Sequence, residues 1–414
     1  MNIKRIRVTN FKSFKELEVE LRRFNVVIGA NASGKSNFVQ IFQFLRDIAK
    51  HGLENAISMQ GGVEYLRNIK IGASEDFSLK VVFDLESFGR RFVFRGEIEI
   101  KIYEATYEFA LNFNKKGSGF KISKDILTYK CGFPRRRRKI EEKIGEGEIV
   151  IYRDDGKVRI ELHKPEDVPI KIDDIFPPFL RNVQLPPNTI ILEGPFFLPL
   201  PPLSLKENFS NISIYDFDPK LPKKATPISG KAELEEDGSN LSIILKNIIE
   251  NKDGKRKLFN LLKDLLPFID NIGVEKFADK SLLFKLQEKY FKNQYLPASL
   301  ISDGTINITA LIVALYFERK PMTIIEEPER NIHPYLISKV VDMLKDASRK
   351  KQIIVTTHNP EIVKYAGLEN ILLVSRNQDG FSLISKPTDK DEVKIFLKNE
   401  IGIEELYVQN LLGI

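Results

Sequence analysis

A single cysteine, Cys131, stands in a chain of 414 residues. That count excludes an internal disulfide and a zinc site built from cysteine alone, and a reducing cytoplasm is the simplest compartment. No apolar run reaches the roughly 20 residues a bilayer-spanning helix needs, so a helical membrane protein is excluded. The N-terminus, Met1-Asn2-Ile3-Lys4-Arg5-Ile6, has no apolar signal region and enters alternating sequence at once. Internal repeats are missing, and no heptad run is long enough for a coiled coil. Net excess of one charge is small too: 64 Lys and Arg against 57 Asp and Glu leave a formal +7, a balance that permits a nucleic-acid partner without demanding one. Hydrophobic residues at 42% and this length allow two or three domains with ample core.

What is present begins with Gly29-Ala30-Asn31-Ala32-Ser33-Gly34-Lys35-Ser36, followed by Asn37. The stretch fits G-x-x-x-x-G-K-[ST], a loop whose backbone amides cradle nucleotide phosphates. Lys35 is expected to reach the β- and γ-phosphates, and the Ser36 hydroxyl to ligate Mg²⁺. Phe24 to Ile28 reads as a short buried strand ahead of the loop. Phe38, Ile41, Phe42, Leu45 and Ile48 recur at helical spacing after it. Strand, loop and helix together aim a positive helix terminus at the phosphates.

In chain order, alternation predicts two strands between Ile3 and Leu21, joined at Asn10-Phe11-Lys12-Ser13-Phe14, and an antiparallel meander from Phe77 to Phe113. Gln60-Gly61-Gly62 reads as a loop. After Asn114 the pattern becomes irregular, with a basic run at Arg135 to Lys139 and strand-like sequence from Ile149 to Leu162. Pro177 to Pro202 is proline-rich and should be extended and surface-bound. Helices are expected at Leu241–Ile249, Leu258–Phe268, Thr305–Arg319 and Pro334–Leu344. Strands are expected at Ile272–Phe277, Leu282–Leu286, Met322–Ile325 and Gln352–Thr357, and a hairpin closes the chain at Ile371–Val374 and Phe381–Ile384. This layout predicts one α/β domain split between residues 1–114 and 291–414, with 115–290 inserted as an α+β accessory region.

The second half of the site is expected at Met322-Thr323-Ile324-Ile325-Glu326-Glu327, an apolar strand ending in two carboxylates. Alternation sends the two side chains to different faces. Glu326 would hold Mg²⁺, directly or through water, and Glu327 would act as general base on the attacking water. Thr356-Thr357-His358 ends the next strand, where His358 could donate a hydrogen bond to the γ-phosphate. Ser302-Asp303-Gly304 opens the apolar helix, either as an ordinary cap or as an anion-binding helix start.

Taken together, Gly29-x-Asn31-x-x-Gly34-Lys35-Ser36-Asn37, Ser302-x-Gly304, Glu326-Glu327-Pro328-Glu329 and His358 resemble the ABC-type ATPases. The nearest branch is that of RecF, the structural-maintenance-of-chromosomes proteins and the OLD-family ATPases. The Asn10-to-Phe14 turn and Ile332-His333-Pro334 are similar to the OLD-like group. The resemblance covers both ends of the chain, roughly half of it, and implies a P-loop NTPase fold of the ABC-ATPase head type. That means an α/β mixed sheet, an antiparallel β subdomain and a large inserted lid or accessory region.

The resemblance further implies a homodimer in which two heads sandwich two ATP molecules, with Ser302 and Gly304 meeting the partner's γ-phosphate. It makes Glu327 the catalytic glutamate and His358 the switch histidine. Gln60 becomes a candidate metal-ligating glutamine, and Lys12 and Ser13 would line the base or α-phosphate side. An ATP-driven dimerisation switch in DNA repair, maintenance or anti-phage defence follows, in the cytoplasm and away from membranes. DNA and a separately encoded effector are the partners it leaves open; the basic run Arg135 to Lys139, read by its charge, is either a grip on DNA phosphates or a solvated loop.

Ile301-Ser302-Asp303-Gly304-Thr305 departs from Leu-Ser-Gly-Gly-Gln, Glu326 replaces the usual aspartate, and His333 stands where transporters carry an aspartate. These departures count against a transporter subunit. About 56 residues follow His358, too few for the toprim nuclease domain of OLD-type proteins. The competing class is a regulatory or scaffold protein that binds ATP and hydrolyses it negligibly.

Overall fold

Three strands open the chain, β1 (Asn2–Phe11), β2 (Phe14–Glu20) and β3 (Phe24–Ile28), and the loop after β3 leads into helix α1 (Lys35–His51). The computed structural model describes residues 2–85, 91–94, 98–115, 119–137, 140–194, 205–277, 280–291, 294–391, 393 and 402–411. They fall into two compact units: Met1–Arg22, Asn31–Ile212 and Val374–Ser385 form the first, and Arg23–Ala30, Ser213–Leu373 and Lys386–Ile414 the second. Among the described residues no helix is long and apolar enough to cross a membrane.

The first unit is built on an antiparallel sheet. After α2 (Leu53–Met59) the chain adds β4 (Phe77–Asp84), β5 (Arg91–Phe94), β6 (Ile98–Phe113), β7 (Phe120–Arg137), β8 (Ile140–Asp154) and β9 (Lys157–His163). The order is β2-β1-β4-β6-β7-β8-β9, with β5 on β6. Alternation explains the pairing: Ile6 and Val8 of β1, Leu79 and Val81 of β4 and Tyr107 and Phe109 of β6 are all buried, while Arg7, Lys80 and Glu108 between them are exposed or half-buried. Phe44 of α1 sits against Phe11 and Phe77 at ring-centroid distances of 6.3 and 5.8 Å. Each such ring contributes roughly 1.5–3 kcal/mol by leaving water, so α1 is anchored to the sheet by its apolar face.

Two expectations differ here. The stretch after Asn114, read as irregular, is the long β7–β8 ladder. Leu127, Tyr129, Cys131 and Phe133 alternate inward, but Thr128 and Lys130 between them, and Glu146 and Glu148 on β8, mask that period. The proline-rich stretch is not wholly superficial. It makes 3₁₀ turns at Pro178–Asn182 and Ile191–Glu193, and Ile190, Ile191 and Leu192 are buried. Its residues 195–202 lie outside the described residues.

The second unit carries a parallel sheet. Here β10 (Ile212–Tyr215), helices α3 (Leu241–Glu250) and α4 (Lys252–Leu265) and the hairpin β11 (Ile269–Phe277) and β12 (Ser281–Glu288) precede α5 (Asp303–Tyr316). Then follow β13 (Met322–Glu326), α6 (Pro334–Ser348), β14 (Gln352–Thr356), α7 (Pro360–Ala366) and β15 (Ile371–Arg376). Strands β13, β14, β3 and β15 pair in that order, all parallel. A continuous core joins Val26, Ile325 and Val355 of the sheet to Leu311 of α5 and Val340 of α6. Helix α5 is apolar on every side and correspondingly buried from Thr305 to Leu315. The tail of β15 belongs to the first unit, where β16 (Ser382–Ser385) follows it, and α8 (Ile403–Val408) belongs to the second.

Residues 115–212 fall in the first unit and 213–290 in the second. The free edge of β6 is continued by β7, and residues from 213 onward pack around the parallel sheet.

Candidate active site

Parallel strands β13, β14 and β3 release their C-terminal ends at one edge of the second unit's sheet. Glu326 pairs in register with Thr356, and Thr356 with Val27. Beyond the strands, the Glu327 N–H donates to the Thr356 carbonyl at 2.8 Å and the Thr357 N–H to the Val27 carbonyl at 3.1 Å. Glu326, Glu327, His358 and the loop's first residue, Gly29, thus emerge side by side. Glu327 adopts φ 45°, a left-handed backbone uncommon for a glutamate. The phenol of Tyr407, on α8, meets the Gly29 backbone N–H, and burial raises its pKa above the ordinary value.

Behind this edge lies Glu329, 9% exposed. Thr357 Oγ1 donates to Glu329 Oε1, while Oε2 is buried and has no partner among the described residues. Burial pushes the Glu329 carboxyl up to about 7. Burial disfavours the charged form more than the Thr357 hydroxyl and a backbone hydrogen bond favour it.

Ser302 caps α5: its Oγ accepts from the Thr305 N–H at 3.2 Å. Its neighbour Asp303 is paired with Lys223. Gly304 packs so closely on the turn after Glu327 that an added Cβ would come within 2.5 Å of the Asn331 carbonyl. Ser302, Asp303 and Gly304 are therefore held in place by the second unit itself, with the Ser302 side chain exposed.

The rest of the loop, Asn31 to Asn37, lies in the first unit. Gly34 has φ +120°, and a Cβ there would meet Ser382 Oγ at 2.3 Å, so only glycine fits. Helix α1 starts without a side-chain cap, and the Ser33 hydroxyl is buried without a partner among the described residues. Uncapped first-turn amides, a buried hydroxyl and a glycine cradle make a donor set that fits a phosphate group. Lys35, next in sequence, is buried, whereas Ser36 is exposed.

Lys12 and Ser13 form the β1–β2 turn, and burial lowers the Lys12 ammonium below its ordinary value. The Asn37 amide donates to Ser13 Oγ at 2.7 Å. Gln60 closes α2 and lines the same cavity of about 620 Å³ as Lys12, Ser13, Asn37, Lys70 and Arg376. The structure thus gathers Lys12, Ser13, Asn37 and Gln60 in one unit and Gly29, Glu326, Glu327 and His358 in the other.

Sequence reading overlooked several supports. Ser382 donates to the Ser33 carbonyl and bonds Ser13 Oγ at 2.8 Å, and Arg376 Nε donates to the Ala32 carbonyl at 2.9 Å. These residues stand 344–349 positions from their partners, so no local pattern marks them. Arg330, three residues after Glu327, did carry a signal, since i and i+3 meet across a turn. The basic run is a strand end: Arg135 and Arg136 of β7 pair in backbone register with Glu142 and Glu141 of β8. Arg138 and Lys139 lie outside the described residues.

A family model described as "AAA domain, putative AbiEii toxin, Type IV TA system" matches residues 24–364. Comparison with curated proteins gave no match. Among solved structures, the chain is similar to an SmcHead bound to the C-winged helix domain of ScpA, at 16% identity over 93% of this chain and 97% of that one, with a TM-score of 0.47. It is also similar to the SMC head domain from Thermotoga maritima, at 14% identity over 93% and 99%, with a TM-score of 0.45. A third is an Smc head domain with an extended coiled coil bound to the C-terminal domain of ScpA derived from Pyrococcus furiosus, at 14% identity over 96% and 99%, with a TM-score of 0.47.

Proposed function

The chain belongs to this AAA-domain family, and from that premise we propose that it is an ATP-hydrolysing switch whose head closes on a second copy of itself around two ATP molecules. The observation that carries the reading is the common sheet edge at which Gly29, Glu326, Glu327 and His358 emerge. In it, the amides of residues 29–37 and Lys35 hold the phosphates, and Lys12 and Ser13 line the base or α-phosphate side. Ser36, Glu326 and Gln60 are the residues that would hold Mg²⁺, which would supply charge neutralisation at the phosphates. Glu327 accepts the proton of the attacking water, and His358 hydrogen-bonds the γ-phosphate. Ser302, Asp303 and Gly304 of a second copy complete the site, at a helix start already ordered by the Ser302 cap.

We place it in the OLD-like branch, on the Asn10-to-Phe14 turn and Ile332-His333-Pro334. Its output is the closure or opening of the pair, delivered to DNA or to a separately encoded effector. The family description names a toxin–antitoxin system, which favours the effector and a role in defence over one in repair.

Glu327→Gln tests the reading. It should retain ATP while turnover falls by about 10²–10⁴-fold, the usual worth of a positioned general base. Unchanged turnover in this variant would reject the assignment.

A further inference from the structure

Arg330 is held by several partners at once. Its Nε and Nη2 both donate to Glu327 Oε2, at 3.2 and 3.1 Å. Nη1 donates to Asp216 Oδ1 at 2.9 Å and to the Phe217 carbonyl at 3.3 Å. Its backbone N–H donates to the Glu327 carbonyl at 3.0 Å, and its own carbonyl accepts from Asn307 Nδ2, on α5, at 2.6 Å. All these partners belong to the second unit. A planar guanidinium gripped along both edges cannot swivel.

The consequence falls on Glu327. Its left-handed φ of 45° places it on a turn outside the sheet ladder, and a glutamate side chain has three rotatable bonds to settle. Arg330 takes one carboxylate oxygen with two donors. The other, Oε1, has no protein donor among the described residues, and the side chain is 38% exposed. One oxygen is anchored and one is left to accept from water.

We propose that Arg330 is a positioning residue for Glu327, braced from behind by Asp216, so that Glu327 Oε1 is presented to the attacking water. This rests on the reading of Glu327 as general base. Through the Asn307–Arg330 contact and the close fit of Gly304 on Asn331, the same brace ties the start of α5 to the base.

Single-turnover ATP hydrolysis with excess protein, beside binding of a non-hydrolysable ATP analogue, tests the proposal in the parent, R330A, R330K, D216N, E327Q and E327Q/R330A. R330A should lose about 10–100-fold in the rate constant, with analogue affinity within about twofold of the parent. R330K should recover little, because an ammonium cannot serve Oε2 with two donors while holding Asp216. D216N, which keeps the guanidinium and removes its brace, should lose about 3–10-fold. Should R330A fail to fold by circular dichroism, D216N still decides the matter. In E327Q, adding R330A should cost nothing further, since the arginine acts only through the carboxylate. Parental rates in R330A or D216N beside an inactive E327Q would overturn the proposal and leave Glu327 as the base. A faster R330A, a loss confined to analogue affinity, or a full R330A loss persisting in E327Q would overturn it as well. An active E327Q would instead reject the underlying reading.

Discussion

Asp125 lies in the interior of the antiparallel sheet, 1% exposed, where a charged carboxylate is costly. Tyr107 Oη donates to its Oδ1 at 2.9 Å and the Ile191 N–H to its Oδ2 at 2.7 Å, yet burial outweighs both and pushes its pKa from 3.8 up to about 7. The folded chain then keeps a proton that the unfolded chain releases near pH 4. Stability should fall as pH rises from about 4 to about 7, by up to about 1.4 kcal/mol per unit. Asp125→Asn can still accept from Ile191 and meet Tyr107. Chemical denaturation across that range should show a flatter pH dependence in this variant than in the parent; parallel curves would mean that Asp125 is ionised in the fold. Lys35 and Glu327 could be read directly from short motifs. Asp125 could not, because its surroundings come from residues 18 and 66 positions away.

At the scale of elements, two helix starts are held by close backbone contacts. The start of α1 depends on Gly34, whose missing side chain makes room for Ser382 of β16. Gly34→Ala combines a φ that alanine resists with a collision, and ATP affinity measured by titration should drop at least about tenfold. Ser382→Ala removes only the hydroxyl bonds to Ser33 and Ser13. It should cost about 1 kcal/mol of stability and a smaller part of the affinity. Equal losses in the two variants would show that the loop is not shaped by glycine. The start of α5 depends on Gly304 in the same way, against the Asn331 carbonyl. Gly304→Ala displaces the turn from Glu327 to Asn331, so turnover should fall by more than ATP affinity; an unchanged ratio of the two would show that the turn tolerates the push. Helices and strands with clean periods, such as α6 and β13, could be foreseen. The β7–β8 ladder could not, since its inward alternation is legible only once β6 offers an edge to pair with.

For the molecule as a whole, closure on a second copy would be a two-fold, self-complementary contact in which each Ser302 start faces the other copy's phosphate loop. Ser302 is exposed, so a larger side chain there leaves the core untouched. Ser302→Arg, placed in the Glu327→Gln background, should bind ATP as a monomer, while Glu327→Gln alone doubles in mass by light scattering when ATP is added. A dimer in both would place the contact elsewhere. The phosphate loop, the paired glutamates after an apolar strand and the expectation of an α/β nucleotide-binding head were determined by sequence alone, because each is a local pattern of backbone period and residue type. Tertiary structure alone decided that Arg330 is braced by a segment 113 residues upstream, that Ser382 shapes the loop, that Asp125 keeps its proton and that residues 115–290 serve both units. Those outcomes depend on distance and dielectric in space, and no spacing along the chain encodes them.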